Sequence, residues 1–412
     1  MNFVMYGAGN IGRGFIGPMF AGAGYDVTFI DIDSEIIAEL NRRGGYICDI
    51  ACTPPRIATV RGARGVDGND SGAVVEAISR CDLMAVSIGA AALERVSPLI
   101  AKGLLKRWSE YNKPLNIIIC ENLKNSAKLL SRWISDALPP PDRPKLVSGC
   151  GFVEAAIGRM APGAAPDTVP GKAQGTAPGK APSAARNSND VLRLTVEEYG
   201  FLPVDKDGFI EDIPDVPGLV AHSPFAFYED RKLYLHNMSH AVCAYLGLLR
   251  GYEYIWQAIG DPVIRLATQS AMVESASMLS TRYKTAFQTV FDHAEDLLLR
   301  YANRSLGDTC QRVCRDPKRK LAAGDRLAGT LSLCESEGIH PVYIAVGFAA
   351  ALITQAADPV GAAELLYTHS GLTASQAEPV LHFFAMLLRK TSLEDILLDA
   401  QRYKGGLRGH IV

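Results

Sequence analysis

The chain has 412 residues, 48% hydrophobic and 21% charged, with a formal net charge of -2. That length exceeds one ordinary hydrophobic core, so two domains are expected. The near-neutral charge gives no electrostatic reason to expect nucleic acid or an anionic membrane as partner, and no apolar run reaches the roughly 18 residues of a spanning helix.

The first residues, Met1-Asn-Phe-Val-Met-Tyr-Gly7, run straight into a strand. They lack the basic and long apolar regions of a signal peptide. The nine cysteines are scattered without a repeated C-x-x-C spacing; Cys310 and Cys314 come closest to a pair, on a helix. Thiols in a reducing, cytoplasmic setting fit this better than a zinc site, so no metal is expected.

Phe3–Tyr6 is an apolar strand, followed at once by Gly7-Ala8-Gly9-Asn10-Ile11-Gly12 and helix-like sequence through Ala23. This is a G-x-G-x-x-G fingerprint between a strand and a helix. Its glycines serve a tight turn, close approach to a pyrophosphate and helix–strand packing, and the helix start offers free N–H donors. A second strand, Val27–Ile30, ends in Asp31, about 19 residues past Gly12, where a ribose-binding acid belongs. With Asp33 nearby and no Arg or Lys alongside, NAD is favoured over NADP. The competing reading is a glycine turn with a purely structural role.

Ser34 to Arg43 reads as a helix with Ser34 as its N-cap. Leu83–Gly89 reads as a buried strand carrying Ser87 among the cofactor-binding candidates, and Leu93–Lys106 as the next helix. Leu115–Cys120 is another strand, ending in Glu121-Asn122 at the sheet edge where ligands gather. Such alternation implies a doubly wound parallel sheet, an α/β Rossmann-type domain.

From about 161 to 190 the sequence turns to Ala, Pro, Gly and Ser, with Ala-Pro-Gly-Lys-Ala recurring. Such a stretch cannot bury enough apolar area to offset its ordering entropy, and it reads as a flexible surface insertion. Val191–Val196 after it reads as a continuation of the sheet.

From about Ile213 the apolar spacing turns to 3.6, with helices expected over 231–250, 262–280, 284–302, 343–356, 359–369, 374–389 and 392–403. The division is therefore 1–212, a NAD-binding domain, and 213–412, a mainly α-helical domain. In that second half Lys232, Asn237 and His240 share one stretch. At 100° per residue, Lys232 falls about 140° from Asn237 and about 80° from His240, so all three can point one way. Taken alone the stretch also reads as an ordinary amphipathic helix. A basic cluster follows, Arg312, Arg315, Lys318, Arg319 and Lys320, with Arg326 beyond it. It is either a solvated face or a docking site for a small anion, for which Arg315, Arg319 and Lys320 are the candidates.

Together these residues resemble the polyol-specific long-chain dehydrogenase/reductases. The resemblance runs along nearly the whole chain apart from the insertion. It rests on Gly7-Ala-Gly-Asn-Ile-Gly-Arg-Gly-Phe-Ile-Gly17, Leu115–Asn122, Arg231–Gly247 and Arg319–Leu327, with Lys-x4-Asn-x2-His as the family's catalytic signature. It implies a metal-independent enzyme, a Rossmann domain followed by a helical one, and a site in the cleft between them. The chain length fits the short, phosphate-using branch, so the implied reaction is reversible oxidation of a sugar alcohol phosphate to a ketose phosphate. Lys232 would be general base in oxidation, its pKa lowered from about 10.4 toward ~7–8. Asn237, or Asn122 less directly, would donate to the developing oxyanion, and His240 would bond the substrate oxygen or orient Lys232.

Two departures bear on specificity. Ile157-Gly158-Arg-Met160 stands where the family has Val-Asp-Arg-Ile, and His236 stands beside Asn237 where a smaller or apolar residue is expected. A non-phosphorylated polyol or an aldonate (mannitol, altronate) is thus an alternative substrate. A β-hydroxyacid or 6-phosphogluconate-type dehydrogenase has Lys-x3-Asn, a different spacing, and a NAD-binding sensor would not need Lys232, Asn237 and His240. The expected partner is a small molecule, and the chain is expected to be a monomer or weak dimer.

Overall fold

The computed structural model describes residues 1–162 and 190–404; the expected insertion lies almost wholly outside the described residues. The chain divides into two compact units, Met1–Glu229 and the residues from Asp230 onward, where the sequence reading places the change at 212/213.

The first unit is built on six parallel strands: β1 Asn2–Tyr6, β2 Asp26–Asp31, β3 Arg64–Asp67, β4 Leu83–Val86, β5 Leu115–Ile119 and β6 Cys150–Glu154. They lie in the order β3-β2-β1-β4-β5-β6. Tyr6, at the end of β1, pairs with Ile30 of β2 on one side and Val86 of β4 on the other. The order in which successive strands are added reverses at β1/β4, which opens the crevice where doubly wound sheets bind ligands. Phe3, Met5, Val27, Phe29 and Ala85 join one core, whereas Val4, Tyr6, Ile30, Met84 and Val86 join another. Side chains alternate between the two faces, and in the inner strands β1 and β4 both faces are covered, so these read as continuous apolar runs.

Three local expectations are corrected. Leu194–Glu197 does not extend the six-stranded sheet; it pairs in parallel with Gly45–Ala51, whose other edge pairs antiparallel with Arg56–Arg61. The reason is packing against the fingerprint helix: a Cβ on Gly14 would come within 2.7 Å of Leu194 Cδ1 and Val196 Cγ1. Leu219–His222, in a stretch expected to be helical, is a strand parallel to Leu202–Asp205. The helix Ser34–Arg43 is capped by Asp33, not Ser34, because Asp33 Oδ1 accepts from the N–H groups of Glu35 and Ile36 at 3.2 and 3.3 Å.

The second unit is helical. Its centre is the helix Met238–Leu249, buried from Met238 through Gly247, which packs against Pro262–Tyr283 and Val342–Leu352. A helix covered on all sides needs no polar stripe, which is why its sequence is largely apolar, with Ser239 and His240 as its buried polar positions. Phe287–Tyr301, Ala374–Leu388 and Leu393–Lys404 complete the expected long helices.

Candidate active site

In the first unit the fingerprint loop leaves β1 through Gly7, whose φ of +111° suits glycine. A Cβ there would run into the Ser87 carbonyl, and one on Gly12 into the Gly7 carbonyl. A Cβ on Gly9 would meet nothing within 4 Å. Gly7 and Gly12 are thus demanded by the protein's own packing, while Gly9 leaves the loop surface open. The Asp31 carboxylate ties the loop down: Oδ2 accepts from the Ala8 N–H at 2.6 Å and Oδ1 from the Asp33 N–H at 3.0 Å. Each carboxylate oxygen keeps a further acceptor site.

Beyond Ala8, Asn10 donates through Nδ2 to the Ala161 carbonyl at 3.1 Å, while its Oδ1 is buried without a partner among the described residues. Ile11 leads into a π-helical turn, Gly12–Ile16. A π turn bonds i→i+5 and leaves carbonyls available to other donors. Here the Arg13 carbonyl accepts from Tyr46 Oη at 2.9 Å and Cys48 Sγ at 3.2 Å. The buried Arg13 guanidinium donates to the carbonyls of Ala8, Val191 and Leu192 at 2.5, 3.0 and 2.6 Å.

The loop after β4 carries Ser87, whose N–H donates to the Tyr6 carbonyl at 2.8 Å. Glu121 Oε1 fixes the next turn, accepting from Ile88 and Gly89 at 2.6 and 2.9 Å. Burial pushes the Glu121 carboxyl upward, against those two bonds. Asn122 is exposed just past β5, at the carboxyl end of the sheet. The open glycine, the partnerless amide oxygen and the loop-bound carboxylate fit a dinucleotide: pyrophosphate on the helix start, ribose hydroxyls on Asp31.

The second unit holds Lys232, Asn237 and His240. Lys232 and Asn237 lie in a π-helical stretch, Arg231–Asn237, and only from Met238 does the α-helix run. The 100° spacing used for the sequence therefore does not apply. Bonding i→i+5 sets Asn237 one wide turn beyond Lys232, closer to its face than 140° would put it. Hydroxyls from neighbouring helices satisfy the carbonyls of this turn: Ser275 Oγ donates to Tyr234 O at 2.7 Å, and Tyr301 Oη to His236 O at 2.9 Å. Both glycine loop and lysine helix thus depend on an irregular turn held from outside. Asn237 is half-buried, and its carboxamide makes no hydrogen bond among the described residues.

His240 is buried, its ring stacked on Tyr301 with centroids 4.8 Å apart at 11°. Its Nε2 lies 3.2 Å from Asp308 Oδ2, off the line of a well-formed hydrogen bond. Burial pulls the imidazole pKa down, Asp308 opposes this, and Arg312 and Lys232 add to it. His236 and His293 are pulled well below the ordinary value, first by burial and then by surrounding positive charge, that of Lys232 included. These three neutral imidazoles therefore share the electrostatic neighbourhood of Lys232. His236 Nδ1 is buried without a partner among the described residues.

The basic cluster divides into exposed and buried members. Arg315 is exposed with no side-chain partner among the described residues. Arg319 is held by Asp316 at 2.7 Å and lies 3.5 Å from Asp325. Lys320 is buried, its ammonium donating to the carbonyls of Val313 and Arg315, and burial lowers its pKa to about 8. A lysine satisfying carbonyls at the end of the short helix Cys310–Val313 is not a free phosphate donor.

Asp308 and Tyr301 flank His240, and His293 feels the charge of Lys232; none of the three belongs to the Lys-x4-Asn-x2-His motif. The i,i+4 spacing of Asp308 and Arg312 was the available signal. Among the described residues no group of three or more His, Cys, Asp or Glu could hold a metal ion. No helix of the described residues is long and apolar enough to cross a membrane, and all nine cysteines are unpaired.

Sheet order, glycine loop and loop-bound acid define a dinucleotide-binding domain followed by a helical domain. Residues 1–218 match the mannitol dehydrogenase Rossmann domain and 225–363 the mannitol dehydrogenase C-terminal domain. The chain belongs to the mannitol dehydrogenase family. Its fold is similar to that of Pseudomonas fluorescens mannitol 2-dehydrogenase, solved as a ternary complex with NAD and D-mannitol. The TM-score is 0.73 at 13% identity, over 98% of this chain and 94% of that one. It is also similar to a D-sorbitol dehydrogenase in substrate-free form, with a TM-score of 0.66 at 15% identity, over 98% and 93% of the two chains.

Proposed function

We propose that the protein is a NAD-dependent polyol dehydrogenase that reversibly oxidises a sugar alcohol to a ketose. NAD, when bound, supplies the hydride acceptor. Gly7, Ala8, Gly9, Asn10, Ile11, Gly12 and Ser87 would form its cradle, and Asp31 would accept from the ribose hydroxyls. Lys232 would take the hydroxyl proton in oxidation and return it in reduction. Asn237 would donate to the oxygen as negative charge develops, with Asn122 as the alternative donor. The observation that carries this reading is the π-helical turn, which sets Asn237 one wide turn from Lys232 beside His240.

For the substrate we infer a hexitol phosphate, D-mannitol 1-phosphate giving D-fructose 6-phosphate, the reaction of a mannitol-1-phosphate 5-dehydrogenase. What supports it is the resemblance to the short branch and Arg315, exposed with no side-chain partner among the described residues; Arg319 is the second candidate, and Lys320 would contribute charge and not a direct bond. The mannitol and sorbitol dehydrogenases of like fold favour the second reading, a free polyol. The experiment is an absorbance assay at 340 nm with NAD and NADP, comparing mannitol 1-phosphate, mannitol, sorbitol and altronate. Preference for mannitol 1-phosphate with NAD supports the proposal; turnover of free mannitol alone replaces the substrate; turnover of none of the four removes the function.

A further inference from the structure

The side of His240 away from the helix core carries an arrangement that the reaction above does not use. Asp308 is 4% exposed and fixed from three directions. Its backbone carbonyl accepts from the Ile255 N–H at 2.9 Å. Its Oδ1 and Oδ2 accept from Arg312 Nε and Nη2 at 2.6 and 2.7 Å, a two-pronged bond of the strong charge-assisted kind. Oδ2 also stands 3.2 Å from His240 Nε2. The ring cannot swing away, because Tyr301 stacks against its face and Tyr301 Oη is itself anchored on His236 O and Ser239 Oγ, each at 2.9 Å.

A neutral imidazole has one N–H and one lone pair, and its partners decide which nitrogen carries which. An Nε2 lone pair facing a carboxylate oxygen at 3.2 Å would be repelled even off the ideal line, whereas an Nε2–H is attracted. Nε2 is sealed from solvent. Nδ1 forms no hydrogen bond among the described residues and is not among the buried polar atoms left unpaired, so it is the nitrogen a ligand can reach. We infer that Asp308, held by Arg312, is a positioning residue that locks His240 with its proton on Nε2, so that Nδ1 accepts a hydrogen bond from a hydroxyl of the polyol. This rests on the proposed polyol oxidation. It narrows the role of His240 to acceptor, leaving donation to the developing oxyanion to Asn237.

Two consequences favour the arrangement. Burial alone would raise the Asp308 carboxyl, but His240 and Arg312 outweigh it and hold it well below the usual carboxylate range, so the partner stays an anion. The His240 imidazole is itself lowered, chiefly by burial, so near neutral pH it has a lone pair to offer.

The test is nitrogen NMR of the full-length protein labelled with 15N-histidine, His240 being assigned by its loss in His240→Gln. The expected spectrum has Nε2 as the protonated nitrogen and Nδ1 as the bare one. A proton on Nδ1, in the neutral ring or in an imidazolium, overturns the inference. Asp308→Asn supplies the second readout, since a carboxamide can turn its NH2 toward Nε2 and favour the opposite tautomer. It is expected to lower kcat about 10²-fold or more by that route, with the NAD dissociation constant within twofold of the parent. A variant that binds NAD normally and keeps kcat within threefold overturns the inference, and should it fail to fold the parent spectrum still decides. The tautomer is read without turnover. If the parent oxidises no polyol the proposed function falls alone, and if it oxidises one with Nδ1 protonated the positioning role falls alone.

Discussion

The Ala8 N–H donates to Asp31 Oδ2 at 2.6 Å, so the carboxylate proposed to hold the ribose also holds the glycine loop. Removing it acts twice, on a direct contact and on the loop that receives the pyrophosphate. Asp31→Ala is expected to raise KM for NAD about ten- to a hundredfold, as the loss of one or two charge-assisted bonds would. The preference for NAD over NADP should shrink, because the charge that repels a 2′-phosphate is gone. Steady-state kinetics with both cofactors checks this; an unchanged KM for NAD would remove Asp31 from the cofactor site, as ribose contact and as loop anchor alike.

Lys232 and Asn237 act through different steps and their variants should separate. Lys232→Met is expected to reduce kcat by ~10²–10⁴-fold with NAD affinity retained. Asn237→Ala is expected to cost roughly 10²–10³ in kcat, the usual loss for one oxyanion donor. Isothermal titration with NAD beside steady-state assays distinguishes these from misfolding. A Lys232 variant with most of its activity would take the base role from this residue.

The long elements were legible because their signals are local. The apolar runs of β1, β2, β4 and β5, the G-x-G-x-x-G motif and the helical spacing of 262–280 each follow from burial at a fixed period. Gly45–Ala51 and Arg56–Arg61 were not legible: they form a small sheet with polar and half-exposed positions, whose pairing is decided by distant residues such as Leu194. The π turn at Arg231–Asn237 was hidden for a similar reason, since Ser275 and Tyr301, remote in sequence, satisfy its carbonyls. Asp308 lay outside the motif, and only folding shows that its carboxylate reaches His240. The basic cluster stays open in the sequence because spacing alone cannot tell an exposed arginine, Arg315, from a buried lysine, Lys320.

Glu274 gives a pH dependence with a definite sign. Its side chain is 1% exposed, and its oxygens accept from the N–H groups of Tyr343 and Ile344 at 3.0–3.1 Å, at the start of Val342–Leu352. Burial raises the carboxyl to about 7 from 4.5, against those bonds. Between these values the folded chain binds more protons than the unfolded one, so this group's contribution to stability falls as pH rises through that window and levels off above about 7. The loss is on the order of 1–3 kcal/mol. Denaturation of the parent and of Glu274→Gln from pH 4.5 to 8 isolates it: the glutamine variant should lack this component of the slope. Parallel pH profiles would show that Glu274 titrates alike in both states.

Arg315 and Lys320 sit five residues apart and should respond in opposite ways. Arg315 is exposed and unpartnered among the described residues, so its truncation leaves nothing unsatisfied within the fold, and surface changes of this kind usually stay within about 0.5 kcal/mol. If it meets the substrate phosphate, Arg315→Ala raises KM for mannitol 1-phosphate about tenfold or more, the worth of one charge-assisted bond, and leaves KM for free mannitol unchanged. Lys320 instead bonds the carbonyls of Val313 and Arg315 from a buried position. Lys320→Met strips those carbonyls of their partner and is expected to lower stability by about 1–3 kcal/mol, read by chemical denaturation, whatever the substrate. Equal KM values for mannitol 1-phosphate in the parent and the Arg315 variant would move the phosphate contact away from this cluster. They would leave Lys320 as what its hydrogen bonds make it, a structural cation at the end of Cys310–Val313.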